Sequence, residues 1–175
     1  MLKSNNINNF AFIDGANLHK GVLEYEWDLD YSRFLKMLEE RYSVKKTYLF
    51  IGFIKKYEKL YFELERMGYI LVFKETIGDG KGSIKGNCDS ELVLTAVSNF
   101  YENKFDKAVL VSGDGDFRCL VDFFLERGKM ERVIAPNPKK CSIFLKRTGV
   151  KMTFLNDLKN IISKKEKAPD AHETH

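Results

Sequence analysis

A serine and two aspartates stand where a short apolar segment ends, within the stretch Val109–Phe117. The residues Val109–Val111 are apolar, Ser112 follows them, and Asp114 and Asp116 come shortly after. A helical pattern with apolar residues spaced by three and four begins at once. The stretch therefore predicts a strand, a tight turn and a helix, with two carboxylates at the turn. In α/β sheets this is the end of a strand at which ligands bind.

Two other segments carry acids to the same kind of position. Asp14 ends the apolar run Phe10–Ile13, and Asn17 follows three residues later. Asp89 and Glu91 stand at the start of another helical pattern. Asp89 lies on the apolar, sheet-facing stripe and Glu91 on the more polar side, so Asp89 is the first candidate and Glu91 the second. We expect the three acid-bearing segments to meet at one edge of the sheet.

Carboxylates that converge on one pocket repel one another, and burying them unpaired raises their pKa values or destabilises the fold. A divalent cation removes this cost. Oxygen ligands without histidine or cysteine favour Mg²⁺ or Mn²⁺, which can help to form a hydroxide nucleophile and can stabilise charge on a phosphodiester. Asn17 and Ser112 stand beside the acids, where they can orient a water or donate to a phosphate oxygen.

Each acid taken alone has an ordinary structural explanation. Asp14 before a glycine is typical of a turn, and an aspartate at a helix start can cap the helix or interact with its dipole. The coincidence of three such segments is what favours a metal site. A phosphatase of the haloacid dehalogenase type is disfavoured, because its first-strand motif has a second aspartate where this chain has Ala16.

Positive charge surrounds the acids in the sequence. The stretch 78–87 contains four glycines, so it is predicted to lack regular structure. It matches neither a phosphate-binding loop nor a calcium-binding loop. Lys81 and Lys85 within it are candidates for binding the backbone of a polyanion, although a solvated connection explains them equally well. Further basic pairs lie at Lys55–Lys56, Lys139–Lys140 and Lys146–Arg147. Lysines around central acids favour a phosphate-chain substrate.

Strand-like and helical segments alternate along the chain. Apolar runs predict strands at residues 10–13, 46–53, 69–73, 109–111, 132–135 and 151–154, with helices between them. This alternation predicts an α/β fold, a three-layer sandwich with a mostly parallel central sheet. We expect one domain over residues 8–163 and a disordered charged tail over residues 164–175.

The composition disfavours several classes of protein. No apolar run approaches the ~18 residues that span a bilayer, and the N-terminus lacks the apolar stretch of a secretory signal. The three cysteines are odd in number and widely spaced, which disfavours a disulfide framework and favours a reducing cytoplasm. The net charge of +4 adds little evidence for a nucleic-acid partner by itself.

Three pieces of the sequence resemble the NYN domain family of PIN-like ribonucleases, most closely its LabA-like branch. They are Phe12–Leu18, Lys85–Leu92 and Val111–Phe117, in an order and spacing that cover residues 8–160. One departure is Cys88, where an aliphatic residue is more usual; we expect it to pack. The resemblance implies a PIN-like fold and a Mg²⁺-dependent site that cleaves RNA. It places in the acidic pocket Asp14, Asp89, Asp114 and Asp116, with Asn17 and Ser112 as supporting polar groups.

Two functions remain open at this point. The first is an endoribonuclease in which Asp14, Asp114 and Asp89 hold one or two Mg²⁺, and the remaining acid positions the attacking water with Asn17. The resemblance implies products with a 5′-phosphate and a 3′-hydroxyl. The second is a non-catalytic module that binds metal and RNA, or a partner protein, and regulates without cutting. We expect single-stranded RNA as the partner and no membrane; homo-oligomer formation stays open.

Overall fold

Strands and helices alternate through the computed structural model, which describes residues 7–74 and 88–164 and the backbone of residues 77–78 and 84–85. Its strands are β1 Asn9–Asp14, β2 Val44–Gly52, β3 Tyr69–Lys74, β4 Ile77–Gly78, β5 Ile84–Lys85, β6 Ala108–Val111, β7 Met130–Ala135 and β8 Met152–Phe154. Its α-helices are α1 Gly15–Val22, α2 Tyr31–Tyr42, α3 Glu58–Met67, α4 Asp89–Tyr101, α5 Arg118–Glu126, α6 Ile143–Lys146 and α7 Lys159–Ile162. Short 3₁₀ turns cover Lys55–Tyr57, Gly115–Phe117 and Leu155–Leu158.

Six of these strands form one parallel sheet in the order β3-β2-β1-β6-β7-β8. The chain first builds outward from β1 through β2 to β3, and then returns to place β6 against the other side of β1. The strand order therefore reverses between β1 and β6. This reversal is the topological switch point at which open α/β sheets bind ligands, beyond the carboxyl ends of the strands.

Both faces of the sheet are covered, because residues along each central strand alternate between two cores. Phe10 and Phe12 of β1 pack into one core with α4 and α5. Ala11 and Ile13 pack into the other core with α1, α2 and α7. The predicted three-layer α/β fold is confirmed, and its central sheet is entirely parallel.

The helix α1 follows Asp14 directly, although an aspartate before a glycine, taken alone, is typical of a turn. Asp14 instead caps the helix, its side chain accepting a hydrogen bond from the Asn17 N–H. Leu18 and Gly21 are the buried residues of α1, so the segment has too few large apolar positions to show a helical period.

The glycine-rich stretch is not irregular throughout, so the expectation for residues 78–87 is wrong at its two ends. Ile77–Gly78 pairs antiparallel with Ile84–Lys85. Isoleucine is β-branched and favours extended backbone, which agrees with a short ladder here. Lys81 lies outside the described residues, as does the side chain of Lys85, and the expected tail lies there too beyond Lys164. None of the described helices has the length and apolarity to span a bilayer.

Candidate metal centre

Asp14 is held at the carboxyl end of β1 by two hydrogen bonds. Its Oδ1 accepts from the Asn17 N–H at 3.0 Å, and its Oδ2 accepts from the Ser112 hydroxyl at 3.1 Å. The next residue, Gly15, brings the start of α1 very close to β2. A Cβ on Gly15 would lie 2.7 Å from the Phe50 carbonyl oxygen and 2.3 Å from a methyl carbon of Ile51. Because residue 15 has no side chain, α1 can start this close to β2, directly after Asp14.

The turn after β6 is joined to α1 by side-chain hydrogen bonds. In the β1–β6 pairing Ile13 lies opposite Val111, so Asp14 and Ser112 are the next residues on each strand. The buried Ser112 hydroxyl oxygen accepts from the Asp114 N–H at 3.1 Å while it donates to Asp14. The Asn17 side-chain oxygen accepts from the Gly113 N–H at 2.9 Å. Two segments almost a hundred residues apart are thus connected in a fixed relative position.

Asp89, Asp114 and Asp116 come together at this edge. One carboxylate oxygen from each lies within 4.8 Å of the others. Asp89 is the first residue of α4, which packs against β1 and the turn after β6. Asp114 opens the 3₁₀ turn, and its Oδ1 accepts from the Asp116 N–H at 3.0 Å. The cluster therefore draws its ligands from two segments that the fold brings together.

Asp14 lies beside this cluster without belonging to the set of three. Burial raises the pKa of its carboxyl above the ordinary value. The hydrogen bonds from Asn17 and Ser112 lower that pKa, and the charges of Asp89 and Asp114 raise it. Burial is the largest of these effects, so Asp14 is a basic carboxylate next to three others. Such a perturbed group is typical of functional sites.

The residues fit a divalent cation. Three carboxylates at this separation repel one another, and a cation between them removes the repulsion. The donors are hard oxygens and the described cluster includes no histidine or cysteine, which suits Mg²⁺ or Mn²⁺. Asp89, Asp114 and Asp116 would hold the ion, with Asp14 adjacent. Asp116 is exposed and Asp89 half-buried, so the cluster is accessible from solvent.

Glu91, the second candidate on α4, is engaged by a lysine. The Lys74 ammonium lies 3.2 Å from both of its carboxylate oxygens. Lys74 ends β3, so this ion pair ties α4 to the far side of the sheet edge. Cys88 packs against the core beside α4, as expected, and burial raises the pKa of its thiol. Glu91 is therefore placed apart from the three clustered aspartates.

Lys140 and Phe144 also lie at the cluster, and sequence reasoning did not single them out as site residues. A cavity of about 400 Å³ is lined by Asp114 and Asp116 together with Lys140, Phe144 and four other residues. The basic pair Lys139–Lys140 was visible in the sequence, but it follows β7. Only the order of the sheet, with β7 beside β6, brings it to the acids.

A larger cavity of about 570 Å³ lies at the opposite, amino edge of the sheet. Its acids are already bound to neighbouring groups of the chain. Asp106 accepts from the Asn8 N–H at 2.8 Å, and Glu131 lies 3.4 Å from the Lys107 ammonium. The larger cavity is therefore not the better candidate for the functional site. The candidate is the smaller cavity at the switch point, where carboxylates lie close together.

Comparison with known proteins agrees with this architecture. The NYN domain family matches residues 10–156 of the chain. The crystal structure of VPA0982, a protein of unknown function from Vibrio parahaemolyticus RIMD 2210633, is similar with a TM-score of 0.76 and 22% sequence identity, over 94% of this chain and 100% of that one. That similarity shows the fold alone, and no curated protein matches the chain. Because the family match spans most of the sequence, the chain belongs to the NYN domain family, a PIN-like nuclease family.

Proposed function

We propose that this protein is a Mg²⁺-dependent endoribonuclease that hydrolyses RNA phosphodiester bonds. The observation that carries the proposal is the approach of the Asp89, Asp114 and Asp116 carboxylates to within 4.8 Å of one another. They lie at the topological switch point of a chain that belongs to a nuclease family. Carboxylate oxygens at this separation are the kind of ligand set that Mg²⁺ binds, so the arrangement favours a metal-dependent reaction over a structural role.

The proposed roles follow from the contacts of each side chain. Asp89, Asp114 and Asp116 hold the cation, which when bound helps to ionise water and to stabilise charge on the phosphoryl group. Asp14 accepts the proton of the attacking water, since its raised pKa makes it a better base than an exposed aspartate. In-line attack forms a bond from the water oxygen to phosphorus and breaks the bond from phosphorus to the 3′-oxygen, which takes a proton from solvent, so the products carry a 5′-phosphate and a 3′-hydroxyl.

Ser112 and Asn17 act as positioning residues in this proposal. The Ser112 hydroxyl orients Asp14 and fixes the Asp114 backbone. Asn17 holds Gly113 and also lines the cavity that contains Asp114 and Asp116, where its amide can donate to a phosphate oxygen. Lys81 and Lys85 remain proposed contacts to the RNA backbone.

Cleavage of a labelled single-stranded RNA tests the proposal directly. We expect the wild type to cut with Mg²⁺ or Mn²⁺ and not in EDTA, and we expect Asp114→Asn to reduce the rate by at least about a hundredfold, as removal of a group that stabilises the transition state does. Asp122→Asn is the matched control, because Asp122 is an α5 acid that pairs with Arg118 at 3.2 Å on the surface. Its rate should equal that of the wild type.

A different pattern would favour a non-catalytic module. If neither protein cuts any of several RNAs, while calorimetry shows metal binding that Asp114→Asn abolishes, the enzyme proposal fails and a regulatory metal- and RNA-binding module replaces it. Equal cleavage by wild type and Asp114→Asn would point to a contaminating nuclease.

We also propose narrower assignments that rest on the sequence motifs. The pieces Phe12–Leu18, Lys85–Leu92 and Val111–Phe117 resemble the LabA-like branch most closely, and we propose that the chain belongs to that branch. The domain is proposed to span residues 8–163, followed by the charged tail. All three cysteines are free thiols, which agrees with a reducing cytoplasmic location.

A further inference from the structure

A groove leads away from the acidic cluster between α1 and the segment after β7. It consists of two adjoining cavities, of about 400 Å³ and about 460 Å³, that share Asn17, Gly113 and Lys140. The first contains Asp114 and Asp116. The second extends past α1 to a wall formed by residues that include Glu24 and Pro136. A strand bound at the acids therefore has a continuous path along this side of the molecule.

Lys140 stands at the junction of the two cavities and is held by a replaceable partner. Its ammonium pairs with the Glu24 carboxylate, which also accepts from the Asn137 amide. The Lys140 side chain is 70% exposed. The Glu24 side chain is 30% exposed and keeps the Asn137 amide as a partner, so an incoming phosphate can take its place at the exposed ammonium without leaving the carboxylate unpaired. The pair thus presents a positive charge beside the acids and keeps it oriented when no RNA is bound.

Phe144 supplies an apolar surface in the cavity that holds Asp114 and Asp116. Its side chain is about half exposed. The segment that carries it is fixed, because the Ser142 N–H donates to the Gly113 carbonyl at 2.9 Å. It is also packed closely on the 3₁₀ turn: a Cβ on Gly115 would lie 2.4 Å from the Ser142 hydroxyl oxygen. An exposed aromatic ring on a rigid support is suited to stack an unpaired base.

We propose that this groove binds the RNA strand next to the scissile phosphate, with Lys140 binding the neighbouring phosphate and Phe144 stacking the neighbouring base. Glu24 is displaced from Lys140 when the RNA binds. The substrate at this site is single-stranded, since a ring can stack a base only where that base is unpaired and splayed out. The inference rests on the proposed function and assigns to it two residues that bind the strand beside the scissile phosphate.

Equilibrium binding of a fluorescein-labelled single-stranded RNA, measured by anisotropy in EDTA at several KCl concentrations, tests Lys140. Lys140→Gln should weaken binding about three- to tenfold. It should also reduce the slope of log affinity against log salt by about 0.7, the value for one phosphate contact on a single strand. Lys36→Gln is the matched control, because Lys36 pairs with Glu40 on α2 and its side chain is 73% exposed. It should leave both affinity and slope unchanged.

The Glu24 and Phe144 variants test the remaining parts of the proposal. Glu24→Gln should tighten binding about threefold, and this gain should vanish in the Glu24→Gln/Lys140→Gln double variant, because the two residues act through each other. Phe144→Ala should weaken binding about tenfold without changing the salt slope, and Phe144→Trp should restore it. In cleavage assays with Mg²⁺, Lys140→Gln should raise KM and leave kcat nearly unchanged.

The outcomes separate this inference from the proposed function. If the wild type binds or cuts RNA, and the folded Lys140→Gln and Phe144→Ala variants match it in affinity and salt slope, the groove assignment is overturned and the nuclease proposal stands. If the wild type neither binds nor cuts RNA, the nuclease proposal and this inference both fail. A labelled polyglutamate peptide that then binds in a Lys140-dependent manner would assign the groove to an acidic protein partner, which also overturns the inference.

Discussion

A single hydroxyl group determines much of the geometry of this site. Ser112 is buried, and its oxygen both donates to Asp14 and accepts from the Asp114 backbone. It therefore sets the separation between the basic carboxylate and the turn that carries the clustered acids. A buried group with two such bonds is costly to remove, because its partners lose hydrogen bonds that water cannot easily replace.

Ser112→Ala should shift the pH dependence of metal binding. The hydrogen bond from Ser112 lowers the pKa of Asp14, so removing it raises that pKa further. Protonation of Asp14 removes a negative charge beside the cluster that would hold the cation, and in the variant this loss occurs at a higher pH. We expect calorimetric Mn²⁺ titrations from pH 5 to 8 to show the affinity falling off at a higher pH in the variant. In a pH profile of the cleavage rate, the loss of activity on the acid side should also occur at a higher pH in the variant.

A surface serine provides the control for this shift. Ser98 is exposed on α4, and Ser98→Ala should leave the pH profile unchanged. A Ser112→Ala protein that remains folded and has the wild-type profile would show that Ser112 does not tune Asp14. A shift to lower pH would contradict the sign of the proposed effect.

The clustered acids, and Asn17 and Ser112 beside them, could be selected from sequence, whereas Lys140 and Phe144 could not. Asp114 and Asp116 follow an apolar run directly, and Asp89 precedes a helical stripe, so short-range pattern is enough to select them. Lys140 pairs with a residue 116 positions away. No local pattern encodes a contact of that separation, since it depends on the lateral order of the strands.

At the scale of elements, α1 connects the first strand to the site, and its start is set by close packing. Gly15 has no positive φ, so its role is to let the helix approach β2 rather than to make a turn. The pair Asp14-Gly15, which taken alone is typical of a turn, marks here the start of a capped helix. The spacing of Asp14 and Asn17 matches an N-cap and its third residue, which is the signal that could have revealed the helix.

Gly15→Ala should destabilise the protein even though alanine favours helix. Alanine is better than glycine by about 1 kcal/mol in a helix interior. The added Cβ, however, would lie 2.7 Å from a backbone oxygen of β2, which cannot move aside as a side chain can. We expect a net loss of about 1–3 kcal/mol in urea unfolding, the usual range for overpacking. Mn²⁺ affinity should also fall, because α1 carries Asn17 away from Gly113.

A substitution at an exposed position of α1 changes the helix propensity without changing the packing against β2, so it serves as a control. His19→Ala changes a solvent-facing residue of α1 to a better helix former, so its stability should stay the same or rise slightly. If Gly15→Ala is as stable as the wild type, the close approach of α1 to β2 does not fix the site.

At the scale of the whole molecule, the sheet order collects charge of both signs at one edge. Parallel strands end together, so Asp14 and the Ser112–Asp116 turn meet at the switch point, and Lys140 of the segment after β7 lies beside them. The alternation of apolar runs with helical patterns predicted this layered fold, because strands that alternate with helices form a sheet covered by helices. The same patterns do not predict the order of the strands across the sheet.

Crowded carboxylates should make the stability of the whole domain depend on metal. A cation that binds only the folded state adds about 2.7 kcal/mol at a hundred times its dissociation constant. For a domain of this size that corresponds to a Tm increase of about 5–10 °C. Saturating Mg²⁺ or Mn²⁺ should produce such an increase over EDTA in the wild type and in Asp122→Asn, as measured by calorimetry.

The Tm of Asp114→Asn should lie above that of the wild type in EDTA and below it when the cation is added. In EDTA its Tm should exceed that of the wild type, because the substitution removes one charge from the three clustered acids and keeps an oxygen to accept from the Asp116 N–H. With the cation added its Tm should barely change, because a ligand is missing. This crossover cannot come from general damage to the fold, which would lower the Tm in both conditions. An equal metal response in Asp114→Asn and the wild type would mean that the cation binds elsewhere.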